Sequence, residues 1–332
     1  MRIALIRLTS LGDIILCMAS LQIIKRHLPT CTITWIADSK FADILDYHPD
    51  LQSVIKLDLR ETKKHFSLAK ARHELHKITG HGDFDLAIDL HGMLKSAIVT
   101  RLTAKKCCGF VAKQVKEPLA SWLYQRRYHI SFDMPVVARY VALVARSLEF
   151  SFLEEELLEK QPYLYYSDRD RFFTNKYFNQ KKKNIIFIPE TSMPYKNYPK
   201  DKYVNIANLL GENILITSGN PVERKTAEYI AEKSPFITLL PFLNLNQLKA
   251  AISQADLVIG ADTGPSHVAW ANNIPSITLF GATPSNCSYA TKINRIIASQ
   301  RKTVTTHIDK TDFSIRDIPE RLVLETAEEL LK

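Results

Sequence analysis

No apolar run in the 332-residue chain reaches the roughly 18 residues that a membrane-spanning helix requires. The opening stretch MRIALIRLTSLGDIILCM has the outline of a signal peptide, but Arg7 and Asp13 break its apolar core. A first strand followed by a loop and a helix accounts for it better. Cysteine is scarce, and Cys17, Cys31, Cys107, Cys108 and Cys287 show no metal-ligand spacing. Their odd number and apolar surroundings point to reduced, buried thiols and a cytoplasmic chain. No cluster of histidine and cysteine suggests zinc. No G-x-G-x-x-G follows the first strand, which weakens a dehydrogenase reading. Internal repeats and low-complexity tracts are absent too.

What is present is an ordinary globular composition, 46% hydrophobic and 24% charged. The length suggests two domains, because single cores stop growing near roughly 250–300 residues. A net charge of +9 and a pI near 9.2 favour anionic partners. Nucleic acid, an acidic membrane surface and phosphorylated small molecules all qualify.

Residues 3–8 read as a strand and 9–13 as its loop. Ile14, Met18, Leu21 and Leu28 then recur at helical spacing until Pro29. Strands are expected at 32–37, 53–57 and 85–90, with a helix opening after His91. The polar, charge-dense stretch 166–183 reads as a connector or surface helix. A second series follows at 184–188, 213–217, 236–240, 257–260 and 277–280, with a terminal helix over 320–332. This alternation places the chain in the α/β class, as two doubly wound, Rossmann-like domains, 1–165 and 184–312, facing a cleft. The segment 313–332 is free to pack back on the first domain.

The richest stretch runs from Ala261 to Gly281, ADTGPSHVAWANNIPSITLFG. It places Asp262 just past a buried strand, Thr263 to Ser266 in a tight loop, and His267 at the opening of a helix. Open α/β sheets bind ligands at the carboxyl ends of their strands. A helix N-terminus presents unpaired N–H groups to a phosphate, and Gly264 lets the backbone approach. A purely structural turn with capping residues is the competing reading.

Other candidates fall at equivalent places. Asp13 ends a Ser-Leu-Gly-Asp turn, either as a helix cap or as a general base aimed into the cleft. Thr191, Ser192 and Lys196 lie in the loop leaving the first strand of the second domain; the hydroxyls and the lysine charge suit phosphate. Glu223 follows the next strand, where a carboxylate can accept from ribose hydroxyls or merely favour the helix dipole. Arg60, Lys63, Lys64, Lys95, Lys113 and Lys116, with Arg126 and Arg127, are solvated surface residues or the lining of a groove for an anionic acceptor. The pairs Asp83/Asp85 and Asp168/Asp170 match a metal-holding Asp-x-Asp but fall at strand entries or linkers, so no metal site is assigned.

Taken together, these segments resemble the bacterial lipopolysaccharide heptosyltransferases, over nearly the whole chain. TSLGDIILCMASL is similar to that family's opening S-x-G-D loop. DLHGMLKSAIVTRL resembles its D-x-Q-G-L-x-K-S-A segment, with His91 in place of glutamine. KEPLASWLYQRRYHI resembles an R-E-P-L-A-S stretch typical of the heptosyltransferase I type, with Lys116 in place of arginine. Tyr195 to Pro199 and ADTGPSH resemble the K-x-W-P and D-T-G-x-x-H motifs.

The resemblance implies a GT-B fold, with the acceptor on the first domain and the sugar nucleotide on the second. It makes Asp13 the catalytic base, with Ser10, Gly12, Arg60, Lys63, Lys64, Lys95 and Lys116 toward the acceptor. Thr191, Ser192 and Lys196 would hold the diphosphate and Glu223 the ribose. Asp262, Thr263, Gly264 and His267 would bind around the diphosphate and sugar. The implied donor is ADP-L-glycero-β-D-manno-heptose and the implied acceptor Kdo-lipid A, with inversion, no metal and no cofactor. The implied location is peripheral, on the cytoplasmic face of the inner membrane.

Alternatives are a heptosyltransferase acting later in the core, separated by acceptor assays, and a GT-B nucleotide-sugar epimerase, which would convert its donor without acceptor. A nucleic-acid-binding protein ranks low, because no recognised motif or basic–aromatic platform is present.

Overall fold

The computed structural model describes residues 1–59, 68–301 and 308–332, so Arg60, Lys63 and Lys64 lie outside the described residues. The chain divides into two compact units, Met1–Lys160 and Gln161–Lys332.

The first unit is built on a parallel sheet of β1 (Arg2–Ile6), β2 (Thr32–Asp38), β3 (Leu51–Leu57), β4 (Leu86–Asp89), β5 (Cys107–Phe110) and β6 (Arg126–Tyr128). Its order is β3-β2-β1-β4-β5-β6. Ile3, Ala4, Leu5 and Ile6 of β1 are all buried, as expected of a central parallel strand covered on both faces. The chain leaves β1 toward β2 and later returns on its other side as β4. That reversal opens a crevice beyond the carboxyl ends of β1 and β4.

The second unit repeats the plan with β7 (Asn184–Ile188), β8 (Asn213–Ile216), β9 (Ile237–Leu239), β10 (Leu257–Ala261), β11 (Ser276–Phe280) and β12 (Asn294–Ala298). Its order, β12-β11-β10-β7-β8-β9, is the same topology, and its reversal lies between β7 and β10. Gly260 makes this junction close. A Cβ there would stand 2.8 Å from Ile188 Cβ and 2.9 Å from its carbonyl oxygen, inside any real contact.

Three strands escape the sequence pattern. β5 and β6 are only four and three residues long, and β6 is Arg-Arg-Tyr, which pairs through its backbone with no apolar alternation. β12 is an edge strand whose exposed Arg295 and Ala298 hide its buried face.

The expected connector is part of the second unit. Ser167 caps a helix over Asp168–Asn175, and the carboxylate of Asp170 accepts the Ser167 amide at 3.2 Å. Buried Thr174 accepts from Gln254 Nε2 at 2.8 Å. Further upstream, Tyr163 packs edge-on against Trp270, and the Leu164 amide donates to Asn272 Oδ1 at 2.9 Å. The domain therefore starts near Gln161 rather than at Asn184. The terminal helix, Glu320–Leu331, also differs from expectation. Its Val323 and Ala327 are buried in the second unit's own core with Ile277, Leu279 and Ile315.

Four of the cysteines are buried and free, while Cys287 is only half-buried. Among the described residues no helix is long and apolar enough to cross a membrane.

Candidate active site

In the second unit, the loops leaving β7 and β10 meet at a charged cluster. Asp262, 8% exposed, follows β10. Its Oδ2 lies 2.6 Å from Lys196 Nζ and its Oδ1 3.4 Å from Nε2 of buried His267. Burial alone would raise the Asp262 carboxyl. The His267 hydrogen bond and the Lys196 charge outweigh it and hold the group down at about 2. Nδ1 of His267 is buried with no partner. The helix Gly264–Ala271 starts here with Thr263 at its N-cap, Pro265 in its first turn and no side-chain cap. Pro265 has no N–H and the Ser266 amide bonds the Thr263 carbonyl at 3.1 Å, so of the first three positions only Gly264 keeps an N–H for a ligand, beside a lysine at the positive end of the helix.

The flanking loop is tied by Asn197. Its Oδ1 accepts from the Thr191 amide and the Thr191 hydroxyl, both at 2.9 Å, and its Nδ2 donates to Glu190. The Thr191 hydroxyl also lies 2.8 Å from the Met193 carbonyl. Thr191 therefore shapes the loop, while the neighbouring Ser192 is exposed. Beyond β8, Glu223 accepts from the Gly219 amide and from Asn220 Nδ2, both at 2.6 Å, while Asn220 caps the helix Pro221–Glu232. Each Glu223 oxygen keeps lone pairs for a further donor.

In the first unit, Asp13 sits in the first turn of the helix Leu11–His27. Its Oδ2 accepts from the Ser10 hydroxyl at 2.8 Å and the Ser10 amide at 3.2 Å. Tyr140 donates to Oδ1 at 2.9 Å. Arg7, buried at the end of β1, holds Oδ2 at 2.7 Å, bonds the Leu90 carbonyl at 2.5 Å and lies 5.1 Å from the Tyr140 ring centre. Burial pulls the carboxyl upward, but Arg7, Ser10 and Tyr140 hold it well below the usual carboxylate range.

Across the crevice, β4 ends in Asp89, which is fully buried. Asp89 accepts from the His91 amide at 2.7 Å, the Gly92 amide at 3.1 Å, the Ser96 hydroxyl at 2.8 Å and the Tyr124 hydroxyl at 2.6 Å. These four bonds set the turn that presents His91, whose Nε2 lies 3.4 Å from Thr9 Oγ1. Burial, and then the charges of Arg7 and Lys95, push the His91 imidazole down to about 3, so it is neutral at physiological pH.

The structure thus gathers Ser10 and Asp13 at one sheet's reversal, and Lys196, Asp262, Thr263, Gly264 and His267 at the other. Gly12 is buried in the helix start, and Lys95 and Lys116 are exposed. The discounted acidic pairs have local duties, Asp85 accepting the Arg2 amide at 2.7 Å and Asp170 completing its cap. Arg7, Asp89, Tyr140 and Asn197 were not singled out in the sequence as site residues. Arg7 left a signal there as a charge inside an apolar strand, and Asp89 and Asn197 stand inside the DLHGMLKSAIVTRL and Tyr195–Pro199 segments, while Tyr140 left none.

The family model described as glycosyltransferase family 9 (heptosyltransferase) matches residues 72–313. The chain is 34% identical to lipopolysaccharide heptosyltransferase 1 of Campylobacter coli, over 99% of both chains. It is 28% identical to the Escherichia coli K12 protein of that name, over 85% of this chain and 88% of the other. The solved structure of E. coli heptosyltransferase WaaC with ADP superposes with a TM-score of 0.82 at 24% identity, covering 99% of this chain and 100% of that one. Two parallel six-stranded sheets with that likeness make the fold GT-B. The chain is a glycosyltransferase and belongs to glycosyltransferase family 9, the heptosyltransferases.

Proposed function

We propose that this enzyme transfers L-glycero-D-manno-heptose from ADP-L-glycero-β-D-manno-heptose to a hydroxyl of Kdo in Kdo-lipid A, with inversion, in lipopolysaccharide inner-core synthesis. The likeness along the whole chain to a lipopolysaccharide heptosyltransferase 1 carries the choice of substrates. The arrangement of charges supports the chemistry.

Asp13 takes the proton of the acceptor hydroxyl as that oxygen attacks the anomeric carbon. The bond from that carbon to the diphosphate oxygen breaks on the opposite face, and ADP leaves with the electron pair. A carboxylate held as low as Asp13 is a weak base toward a resting alcohol. It suffices when the sugar has oxocarbenium character, because the attacking hydroxyl turns acidic as its bond forms. Charge growing on the departing diphosphate meets Lys196 and the Gly264 N–H at the positive end of its helix, which are in place before reaction. Asp262 and His267 then face the sugar hydroxyls. The bilayer-bound acceptor requires that the enzyme work at the cytoplasmic face of the inner membrane.

Incubation with ADP-heptose and Kdo-lipid A should give a lipid heavier by one heptose in mass spectrometry. Conversion of the donor in the absence of acceptor would replace this proposal with an epimerase, and product only from a heptosylated core would make it a later transferase.

A further inference from the structure

The helix Leu94–Thr103 begins three residues after His91, beside the crevice of the first unit. Its buried residues, Ser96, Ala97, Val99, Thr100 and Thr103, cover one face. The opposite face carries Leu94, Ile98 and Leu102, spaced four apart and therefore stacked in one stripe. They are 38%, 45% and 50% exposed. Exposed Arg101 and Lys95 flank the stripe on its two sides.

The short helix Leu119–Trp122 packs beside it, with Ala120 against Ala97. The Leu94 amide also donates to Glu117 at 2.6 Å. That docking turns Leu119 and Trp122 outward, 57% and 70% exposed. Single exposed apolar residues are ordinary, but five on two adjoining helices form a ridge that a soluble chain has reason to avoid.

The charge around the ridge is one-sided. Residues 91–132 contain eight lysines and arginines and one acidic residue, which is seven of the chain's nine net positive charges. The lone acid, Glu117, is occupied by the Leu94 amide. Lys105, Lys106, Lys113, Lys116 and Arg127 are exposed, while exposed Arg126 pairs with Glu149 at 2.5 Å.

We infer that this ridge is a membrane-docking surface, which seats Leu94, Ile98, Leu102, Leu119 and Trp122 in the headgroup region of an anionic bilayer while the surrounding basic residues contact lipid phosphates. An apolar strip with an aromatic residue, rimmed by lysine and arginine, suits an interface that is acidic above and apolar below. A protein partner with the same need would have to be strongly acidic around an apolar centre. The inference deepens the proposed function, since a surface next to His91 delivers a lipid-anchored acceptor, but vesicle binding itself does not depend on that reading.

The chain supplies its own probe. Of its three tryptophans, Trp35 and Trp270 are buried and Trp122 is exposed. Vesicles of phosphatidylethanolamine with phosphatidylglycerol should shift the tryptophan emission to the blue, and Trp122→Phe should abolish the shift. The double variant Ile98→Glu/Leu102→Glu, at exposed positions that leave the core intact, should sediment with these vesicles at least tenfold less well. Phosphatidylcholine vesicles should bind the wild type weakly. With a Kdo acceptor lacking acyl chains the double variant should match the wild type, and with vesicle-embedded acceptor it should lose most of its kcat/KM. Wild-type emission unmoved by anionic vesicles, or a double variant that sediments normally, overturns the inference. So does a dimer in lipid-free solution that the double variant dissociates without any vesicle binding, which would make the ridge a self-association face. Vesicle binding by a wild type that transfers to neither acceptor leaves the surface standing and removes the functional proposal instead.

Discussion

Lys196 Nζ lies 2.6 Å from Asp262 Oδ2, so the lysine expected to hold a diphosphate already has a carboxylate partner. An arriving diphosphate competes with Asp262 for that cation, and the carboxylate, held as an anion, repels the phosphates. Asp262→Asn should therefore tighten ADP binding about fivefold, a gain of roughly 1 kcal/mol, typical of a modest ion pair. Transfer should still fall, because the sugar loses its acceptor group. Lys196→Met should weaken ADP binding at least about tenfold, on the scale of a charge-assisted contact. Calorimetric titration with ADP decides it, and an Asp262→Asn variant that binds ADP more weakly than wild type refutes the competition.

Asp13→Asn should lower turnover by roughly 10²–10⁴-fold with ADP affinity nearly unchanged, the scale of a lost general base. If Asp13 only caps its helix, turnover survives and the loss appears as about 1 kcal/mol of stability. Steady-state kinetics beside a thermal melt separates the two outcomes.

Arg7 sets the acid limit of the same group. The depressed carboxyl of Asp13 contributes stability above its unfolded pKa, and that contribution is lost as pH falls through its lower folded value. Arg7→Met removes a main cause of the depression, so the acid limb of the kcat/KM profile should move to higher pH. Arg7→Lys should restore much of the wild-type position. An acid limb that stays in place in Arg7→Met shows that Arg7 does not govern Asp13. His91, pushed down to about 3 by burial and the charges of Arg7 and Lys95 and so neutral well above that pH, should add no inflection between about pH 5 and 8, where an ordinary histidine titrates.

The proposed mechanism has the leaving diphosphate met by Lys196 and a helix N-terminus, with positive charge from the chain itself. Activity should persist after metal stripping and in excess EDTA. Loss in EDTA with recovery in Mg²⁺ would assign a metal to the diphosphate and demote Lys196.

Gly260→Ala would bring a methyl within 2.8 Å of Ile188 Cβ and 2.9 Å of its carbonyl oxygen. Overpacking of that kind costs roughly 1–3 kcal/mol. The melting temperature should drop, and ADP affinity should drop with it, because β7 and β10 carry the two loops of the cluster. An unchanged melt would mean that the sheet absorbs the methyl freely.

The sequence by itself determined the α/β class, the two-unit plan and the loops on which Asp13, Lys196 and Asp262 stand. Central parallel strands are buried on both faces, so Ile3 to Ile6 and Leu257 to Ala261 stand out as apolar runs, and a loop after such a run has a fixed place at the sheet edge. Edge strands such as Arg126–Tyr128 are held by backbone pairing, which leaves no pattern to read. Only the tertiary structure decided which partner each charge takes. Asp13 meets Tyr140 across 127 residues, Lys196 meets Asp262 across 66, and the terminal helix joins the second unit because Val323 and Ala327 find their core there. Those choices rest on distances that chain folding alone creates, and the electrostatic energy of a pair depends on that separation and on its burial.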